Sequence, residues 1–240
     1  YVILRLLAEN PANLDRDLVW GIHDVVEGGY VENGEVFEPL ADESKFLIVT
    51  EGSSDSSILK TALPLVAPDV ADFFDFVDMK DNYPFAGTGN LVNFCKGLAA
   101  INVRNKIVVI LDNDTAGKEA LQGLQTLKLP RNMRTVSLPY LAEFSRFPTL
   151  GPSGEAVEDV NGRAVAIECF LDLAFGPREV RAIRWTGFNK HLQAYQGELI
   201  AKQRYVDAFF VNIAKGNYDL TKLHLLWTHI LRACAAEAIP

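Results

Sequence analysis

The chain has 240 residues, 49% of them apolar, and a formal charge of −8. That size supports one large α/β domain with helical additions. The negative balance argues against coating nucleic acid by bulk charge, and leaves room for a local cationic patch or a bound metal to grip phosphate.

The start, YVILRLLAEN, carries neither an initiating Met nor a basic leader. It is read as an internal beginning, the C-terminal part of a longer protein or a processed form. Residues 16–26 place Leu18, Val19, Ile22, Val25 and Val26 on one helical face, with Asn13 or Asp15 as cap and Gly28-Gly29 as stop. His23 falls in that pattern without a ligand partner and is read as structural. Asn33-Gly34 signals a hairpin over 31–39. Residues 1–43 thus read as a lead-in, the tail of a preceding domain.

The main domain is expected over 44–215. Phe46 to Thr50 is a short β-branched apolar run, read as a buried parallel strand, and Glu51-Gly52 ends it. A helix is expected over 54–63, closed by Pro64, then a second strand over 73–77. A loop with Gly87-Thr88-Gly89 leads to a helix over 90–100, a third strand over 106–111, a helix over 115–127 and a fourth strand over 135–138. Strictly alternating strands and helices predict an α/β fold, a Rossmann-like parallel sheet with helices on both faces.

After Pro139 the alternation stops. Residues 143–162 hold Pro148, Gly151-Pro152, Gly154 and Gly162 and read as a loop insertion. A short helix over 165–173 carries Glu168, a short strand covers 180–185, and 188–200 is mixed. Residues 202–214 and 220–236 read as helices, the last forming a separate segment from 216 to 240. That segment is apolar, but His224, His229 and Arg232 interrupt it well short of the ~20 residues a membrane helix needs. Its two histidines lie five apart, one off the spacing that stacks side chains, and are read as packing residues. Cys95, Cys169 and Cys234 form no CxxC pair. Their scatter argues against disulfides or a thiolate zinc site and fits a reducing, cytoplasmic setting.

Acids cluster at the ends of two predicted strands. Glu51 closes the first strand, and Asp55 follows four residues later, where a helix beginning between them would curl back over the strand end. Asp112 and Asp114 flank Asn113 after the third strand, and alternate residues of an extended segment face the same way. Gly117 would let the next helix begin close to a ligand. Either stretch alone is equally explained by helix capping, through Asp114 or Thr115 in the second case. Together, at one end of one sheet, four carboxylates would be unfavourable without a cation. Oxygen-rich sites of this kind suit Mg²⁺ or Mn²⁺. Two such ions about 4 Å apart would activate water and stabilise the leaving oxygen of a phosphodiester. Open α/β sheets place ligands at that end.

Glu51-Gly52-Ser53-Ser54-Asp55 and Asp112-Asn113-Asp114-Thr115-Ala116-Gly117 resemble the two motifs of the Toprim domain, shared by topoisomerases, bacterial primases and overcoming-lysogenization-defect (OLD) family nucleases. The resemblance covers about residues 44 to 215; the first forty residues and the last helix have no counterpart assigned. It implies an acid/base role for Glu51 and metal-ligand roles for Glu51, Asp55, Asp112 and Asp114. The region after Pro139 resembles OLD-type and HEPN/Toprim-type bacterial defence proteins. That implies Glu168 as a further metal ligand, with Glu158 and Asp159 as alternatives, and Lys202 as a catalytic cation, with Lys190 in reserve. A lysine beside the scissile phosphate would offset transition-state charge. Gly87, Gly89 and Lys118 are candidates for substrate phosphate, although a plain turn explains the glycines and solvation the lysine.

The implied activity is a two-metal, Mg- or Mn-dependent endonuclease, a hydrolase cutting nucleic acid, with DNA the expected substrate, in antiviral defence. No membrane partner is implied, and oligomers or further domains outside this chain are. No Walker lysine loop, topoisomerase tyrosine domain or primase zinc module is found. An Arg-His signature of a HEPN ribonuclease, with four to six residues between, is not assigned; the nearest pair is Arg184 and His191. The alternatives are an inactive Toprim docking module or the Toprim part of a topoisomerase or primase.

Overall fold

Strand β3 (Lys106–Leu111) carries the fold, because five consecutive residues of it are buried, which requires cover on both faces. The structure, a computed structural model, describes residues 11–13, 45–77, 88–101, 103–127, 129–174 and 181–235. The chain divides into two units, Tyr1–Ala41 and Asp42–Pro240. In the first only a 3-10 turn at Pro11–Asn13 is described. The expected helix over 16–26, His23 and the hairpin over 31–39 lie outside the described residues.

In the second unit β1 (Phe46–Val49), β2 (Phe74–Phe76), β3 and β5 (Met133–Ser137) form a parallel four-stranded sheet in the order β2-β1-β3-β5. Val49 pairs with Val109 and Ile107 with Met133, so β1 and β3 end side by side. Side chains leave the sheet alternately. Ile48, Val108 and Ile110 meet helices α1 (Ser53–Val66) and α5 (Thr221–Ala235) through Ile58, Leu59, Leu63, Leu223, Leu226 and Trp227. Val49, Ile107, Val109 and Leu111 meet α2 (Thr88–Ala100) and α3 (Thr115–Gln125) through Leu91, Cys95, Ala120 and Leu124. Each fully buried aliphatic side chain there contributes roughly 1.5–3 kcal/mol. The architecture is α/β, with a parallel sheet flanked by helices on both faces.

Helix α1 does not stop at Pro64. Pro64 lies inside it and the helix runs to Val66, because a proline in the last turn removes one bond only, and Ala67 N–H still reaches Leu63 O at 2.8 Å. The terminator is Pro68, which drives Ala67 out of the helical region to φ −150°. Helix α5 packs in the same core as the sheet: Arg134 on β5 donates to the carbonyls of Ala233 (2.6 Å) and Cys234 (3.0 Å), and His229 Nε2 meets Ser137 O at 3.1 Å.

The region after Pro139 is more ordered than a loop. A 3-10 helix over Ala142–Arg146 leads into the hairpin β6 (Phe147–Gly151) and β7 (Gly154–Glu158), turned by Pro152 and Ser153 with Gly154 at φ +100°. β8 (Ala164–Val165) pairs with β4 (Asn113–Asp114). In place of a longer helix, Glu168 lies on a buried 3-10 turn, Ile167–Phe170. The expected short strand and mixed segment are one antiparallel hairpin, β9 (Ile183–Asn189) and β10 (Ala194–Leu199). Glycines at 187 and 197 mask its period in sequence. Its turn is built by Asn189 Oδ1, which accepts the N–H groups of His191 (2.9 Å) and Leu192 (3.0 Å). Together β10-β9-β6-β7 form a second sheet, followed by α4 (Lys202–Asn212).

Gly197 is enclosed: a Cβ on it would stand 2.6 Å from Ile183 Cγ2, 2.8 Å from Trp185 Cε3 and 2.9 Å from Ala164 Cβ. Gly197→Ala is therefore expected to cost about 1–3 kcal/mol of stability by overpacking. Urea denaturation measures it, and an unchanged midpoint would refute the tight packing of β9, β10 and β8.

Candidate metal centre

Parallel pairing of β1 with β3 sets Glu51, two residues past the end of β1, beside Asp112, one residue past the end of β3. Glu51 Oε1 accepts the Asp112 N–H at 3.3 Å, closing the gap between the two strand ends. The chain then turns at Gly52 into α1. Asp55, third residue of that helix, reaches back so that Oδ2 accepts the Gly52 N–H at 2.9 Å, while Oδ1 accepts the Ser54 hydroxyl at 3.2 Å. Asp114 caps α3, with Oδ1 accepting the Gly117 N–H at 2.7 Å. Capping and clustering are thus compatible, since one carboxylate oxygen satisfies a helix amide while the side chain remains at the strand end.

Gly117 is required sterically. A Cβ there would overlap the Asp112 carbonyl oxygen and sit 3.0 Å from its carbonyl carbon. Helix α3 can begin against the Asp112 peptide only without a side chain at this position. Gly117→Ala is expected to destabilise the protein by at least ~1–3 kcal/mol, read by thermal melting. The clash is with backbone, so no side-chain rotation relieves it.

Glu168 joins from the buried turn after β8, only 6% exposed. The antiparallel β4–β8 pair brings that turn to the end of β3, and the Glu168 charge acts on both Asp55 and Asp112. Lys202, exposed at the start of α4, acts on Asp55 and Asp114 with the opposite sign. Burial, and the charge of neighbouring carboxylates second to it, raises the proton affinity of Glu51, Asp55 and Asp112. Burial, then the charges of Asp114 and Asp55, push Glu51 up to about 8 against the Asp112 amide. Burial, then Glu168, push Asp55 up to about 7 against its two hydrogen bonds and Lys202. Asp112 is driven well above the usual carboxylate range by burial and then by Asp55, Glu51, Asp114 and Glu168. Asp114 is raised by burial, less so because Gly117, Gln196 and Ala116 bond to it or near it.

Gln196 carries no motif and was not among the expected site residues. A β-bulge lies between Gln196 and Gly197, where β10 slips against β9. Bulges re-aim side chains, and here the amide is turned onto α3. Gln196 Nε2 donates to Asp114 Oδ2 at 2.5 Å, and its Oε1 accepts the Ala116 N–H at 3.0 Å. Next to it the Thr115 hydroxyl donates to Tyr195 O at 2.7 Å. These bonds bolt the second sheet to the carboxylate cluster.

The other candidates fall elsewhere. Glu158 accepts from Trp185 Nε1 (2.7 Å) and Thr149 Oγ1 (2.9 Å) on the second sheet, and Asp159 caps Asn161. Lys190 is exposed in the β9–β10 turn. Gly89 opens α2 with free space around its Cα, Gly87 lies outside the described residues, and exposed Lys118 extends over Gly162 beside Asn113. Arg184 and His191 are separated by six residues, which does fit the HEPN spacing, but they occupy β9 and its turn.

Among the described residues no Lys, Arg or His forms an ion pair with any of the five acids. No group of three or more His, Cys, Asp or Glu side chains among them is gathered closely enough to hold a metal ion. The side chains on offer are nonetheless all carboxylate oxygen, partly buried and offset only by the Lys202 charge on Asp55 and Asp114, a chemistry that suits a hard divalent cation.

One comparison with known proteins gives a match. Residues 1–45 match the family model described as HEPN/Toprim N-terminal domain 1. This is the segment for which sequence reading found no counterpart, and it lies outside the two acidic motifs. Neither the curated proteins nor the solved structures give a match. Among the described residues no helix is long and apolar enough to cross a membrane. The amino-terminal segment is thus similar to that of the HEPN/Toprim family.

Raised carboxyl groups make the metal-free protein pH-sensitive in a defined direction. The folded state holds protons that the unfolded chain releases near pH 4, so stability is complete below that pH and falls as pH rises through about 7 and 8. Melting temperature in EDTA is expected to fall between about pH 5 and pH 8.5, and less so in Asp112→Asn. Added Mn²⁺ is expected to restore it at the upper pH. Equal slopes in the two proteins would refute the mutual repulsion.

Proposed function

We propose that this chain is the catalytic part of a Toprim-type, divalent-metal-dependent endonuclease that hydrolyses phosphodiester bonds in nucleic acid, with DNA as the substrate, and that it serves in defence against phage. The observation that supports the reading is that Glu51, Asp55, Asp112, Asp114 and Glu168 act on one another's charge at one end of a parallel sheet, with no cationic side chain in an ion pair with them among the described residues. The match of residues 1–45 to a HEPN/Toprim domain supports it from a separate part of the chain.

The five acids would hold Mg²⁺ or Mn²⁺, two ions in the full site. When bound, such ions activate water and stabilise the departing oxygen. The chain's own residues orient and balance charge. Asp55 and Asp114 are fixed by helix-end amides, and Gln196 holds the outer oxygen of Asp114. Glu51, pushed up to about 8, is the group suited to hold or pass a proton near neutral pH. Lys202 adds positive charge on the side of Asp55 and Asp114, where a phosphate would gain it.

The test is a cleavage assay with Mg²⁺ and Mn²⁺ on supercoiled plasmid, linear duplex and RNA. Asp112→Asn and Glu51→Gln are expected to fall below about a hundredth of wild-type rate. Asp112→Asn is expected at the same time to raise the melting temperature in EDTA, because it removes a buried, repelled charge. Full Mn²⁺-dependent cleavage in both variants would sink the site. Cleavage of RNA alone would replace DNA as the substrate.

A further inference from the structure

Glu168 differs from Glu51, Asp55 and Asp114 in what holds it. Backbone amides fix those three carboxylates directly. Glu168 is only 6% exposed, yet among the described residues no hydrogen-bond donor or ion pair reaches its carboxylate. Its placement therefore depends on the backbone of the 3-10 turn that carries it, Ile167–Phe170. At the exit of that turn Cys169 N–H bonds Ala166 O at 3.0 Å and Leu171 N–H bonds Glu168 O at 3.2 Å. The carbonyl of fully buried Cys169, the residue after Glu168, is met from outside: Lys222 Nζ donates to it at 2.7 Å. Three residues further, the Asp172 N–H donates to the Tyr218 hydroxyl at 2.9 Å. The start of α5 and the segment leading into it thus clamp the exit of the Glu168 turn at two points.

A lysine is a costly way to satisfy one carbonyl. The Lys222 side chain is 18% exposed and lies in the first turn of α5, where the helix dipole disfavours a cation. Burial disfavours its charge further. Glu143 offsets this from the 3-10 helix before β6, with Oε1 at 3.3 Å, while its other oxygen meets Arg181 at 3.5 Å. A neutral donor would satisfy the carbonyl without those costs. A charged donor makes the stronger bond, and here it fixes the peptide unit next to Glu168. The Glu168 charge acts on Asp55 and Asp112, so the setting of this turn decides how the fifth carboxylate meets the others.

We infer that Lys222 is a positioning residue: by gripping the Cys169 carbonyl it sets the Glu168 turn, and it makes helix α5 a working part of the acidic centre. This deepens the metal-dependent reading above and rests on it. Glu143 keeps Lys222 charged and takes no part in the centre itself.

The experiment titrates Mn²⁺ into the full chain by calorimetry, with thermal melting in EDTA alongside. Lys222→Met keeps the aliphatic stem and removes the ammonium. Glu143→Gln removes the ion pair and leaves the bond to Cys169. Lys222→Met is expected to weaken Mn²⁺ binding about tenfold, the scale on which lost support behind a metal ligand is felt. Glu143→Gln is expected to lower the melting temperature and to bind Mn²⁺ like wild type. Lys222→Met combined with Glu168→Gln is expected to bind no more weakly than Glu168→Gln alone, because the lysine acts through that glutamate. A lysine that only ties α5 to the core gives losses that track melting temperature, Glu143→Gln included, and that add to the loss in Glu168→Gln. Should Lys222→Met not fold, Lys222→Met with Glu143→Gln, which removes both charges together, takes its place. Unchanged Mn²⁺ affinity in the lysine variant, or additive losses, overturns the positioning role alone, since wild type still binds the ion. Absence of Mn²⁺ binding in wild type overturns the metal-dependent reading and the positioning role with it.

Discussion

The carboxylates of Glu51, Asp55, Asp112 and Asp114 gather where two adjacent parallel strands end and the next helices begin, with the Glu168 charge acting on two of them. Backbone amides do the holding. Asp112 N–H binds Glu51, Gly52 N–H binds Asp55, and Gly117 N–H binds Asp114. Each of these bonds sits at a strand end or a helix start, and each favours the ionised carboxylate it binds. Burial and mutual repulsion disfavour the ionised forms, so in the absence of other charge the acids hold protons to near-neutral pH.

The second sheet gives the first one more than cover. Its bulge at Gln196 turns an amide against Asp114 and Ala116, and β8 carries Glu168 into the same space. Close packing limits how the two sheets can meet. Gly197 leaves room for Ile183, Trp185 and Ala164, and Gly117 leaves room for the Asp112 peptide. Both are positions where one methyl group would force apart segments that the acidic centre needs in contact.

The parallel sheet was legible because its strands are short, apolar and β-branched, and its helices carry apolar residues at helical spacing. Pro64 misled because a proline near a helix end removes a bond that the helix can spare, and the stronger constraint came from Pro68 acting on Ala67. The hairpins after Pro139 were unreadable for another reason. Pro148, Gly154, Gly187 and Gly197 all look like loop residues, yet they are tolerated at a turn, a bulge and a position before β9 joins β6. Glu168 was reached through family resemblance, since a single Glu in an apolar run carries no pattern of its own. Gln196 had no such pattern and no motif, and the amino-terminal match came from a family model, not from periodicity.

By itself the sequence determined the alternation of strands and helices, and with it the parallel sheet and the strand ends at which Glu51, Asp55, Asp112 and Asp114 fall. Those are local properties: strand and helix periods, caps, and the two-residue spacing of Asp112 and Asp114. Only the tertiary structure decided that Glu168 and Lys202 both act on Asp55, and that Gln196 holds Asp114. These relations join segments far apart along the chain, about eighty residues for Gln196 and Asp114 and more for Lys202 and Asp55, through strand pairing that exists only after β8 and β10 have packed against the first sheet.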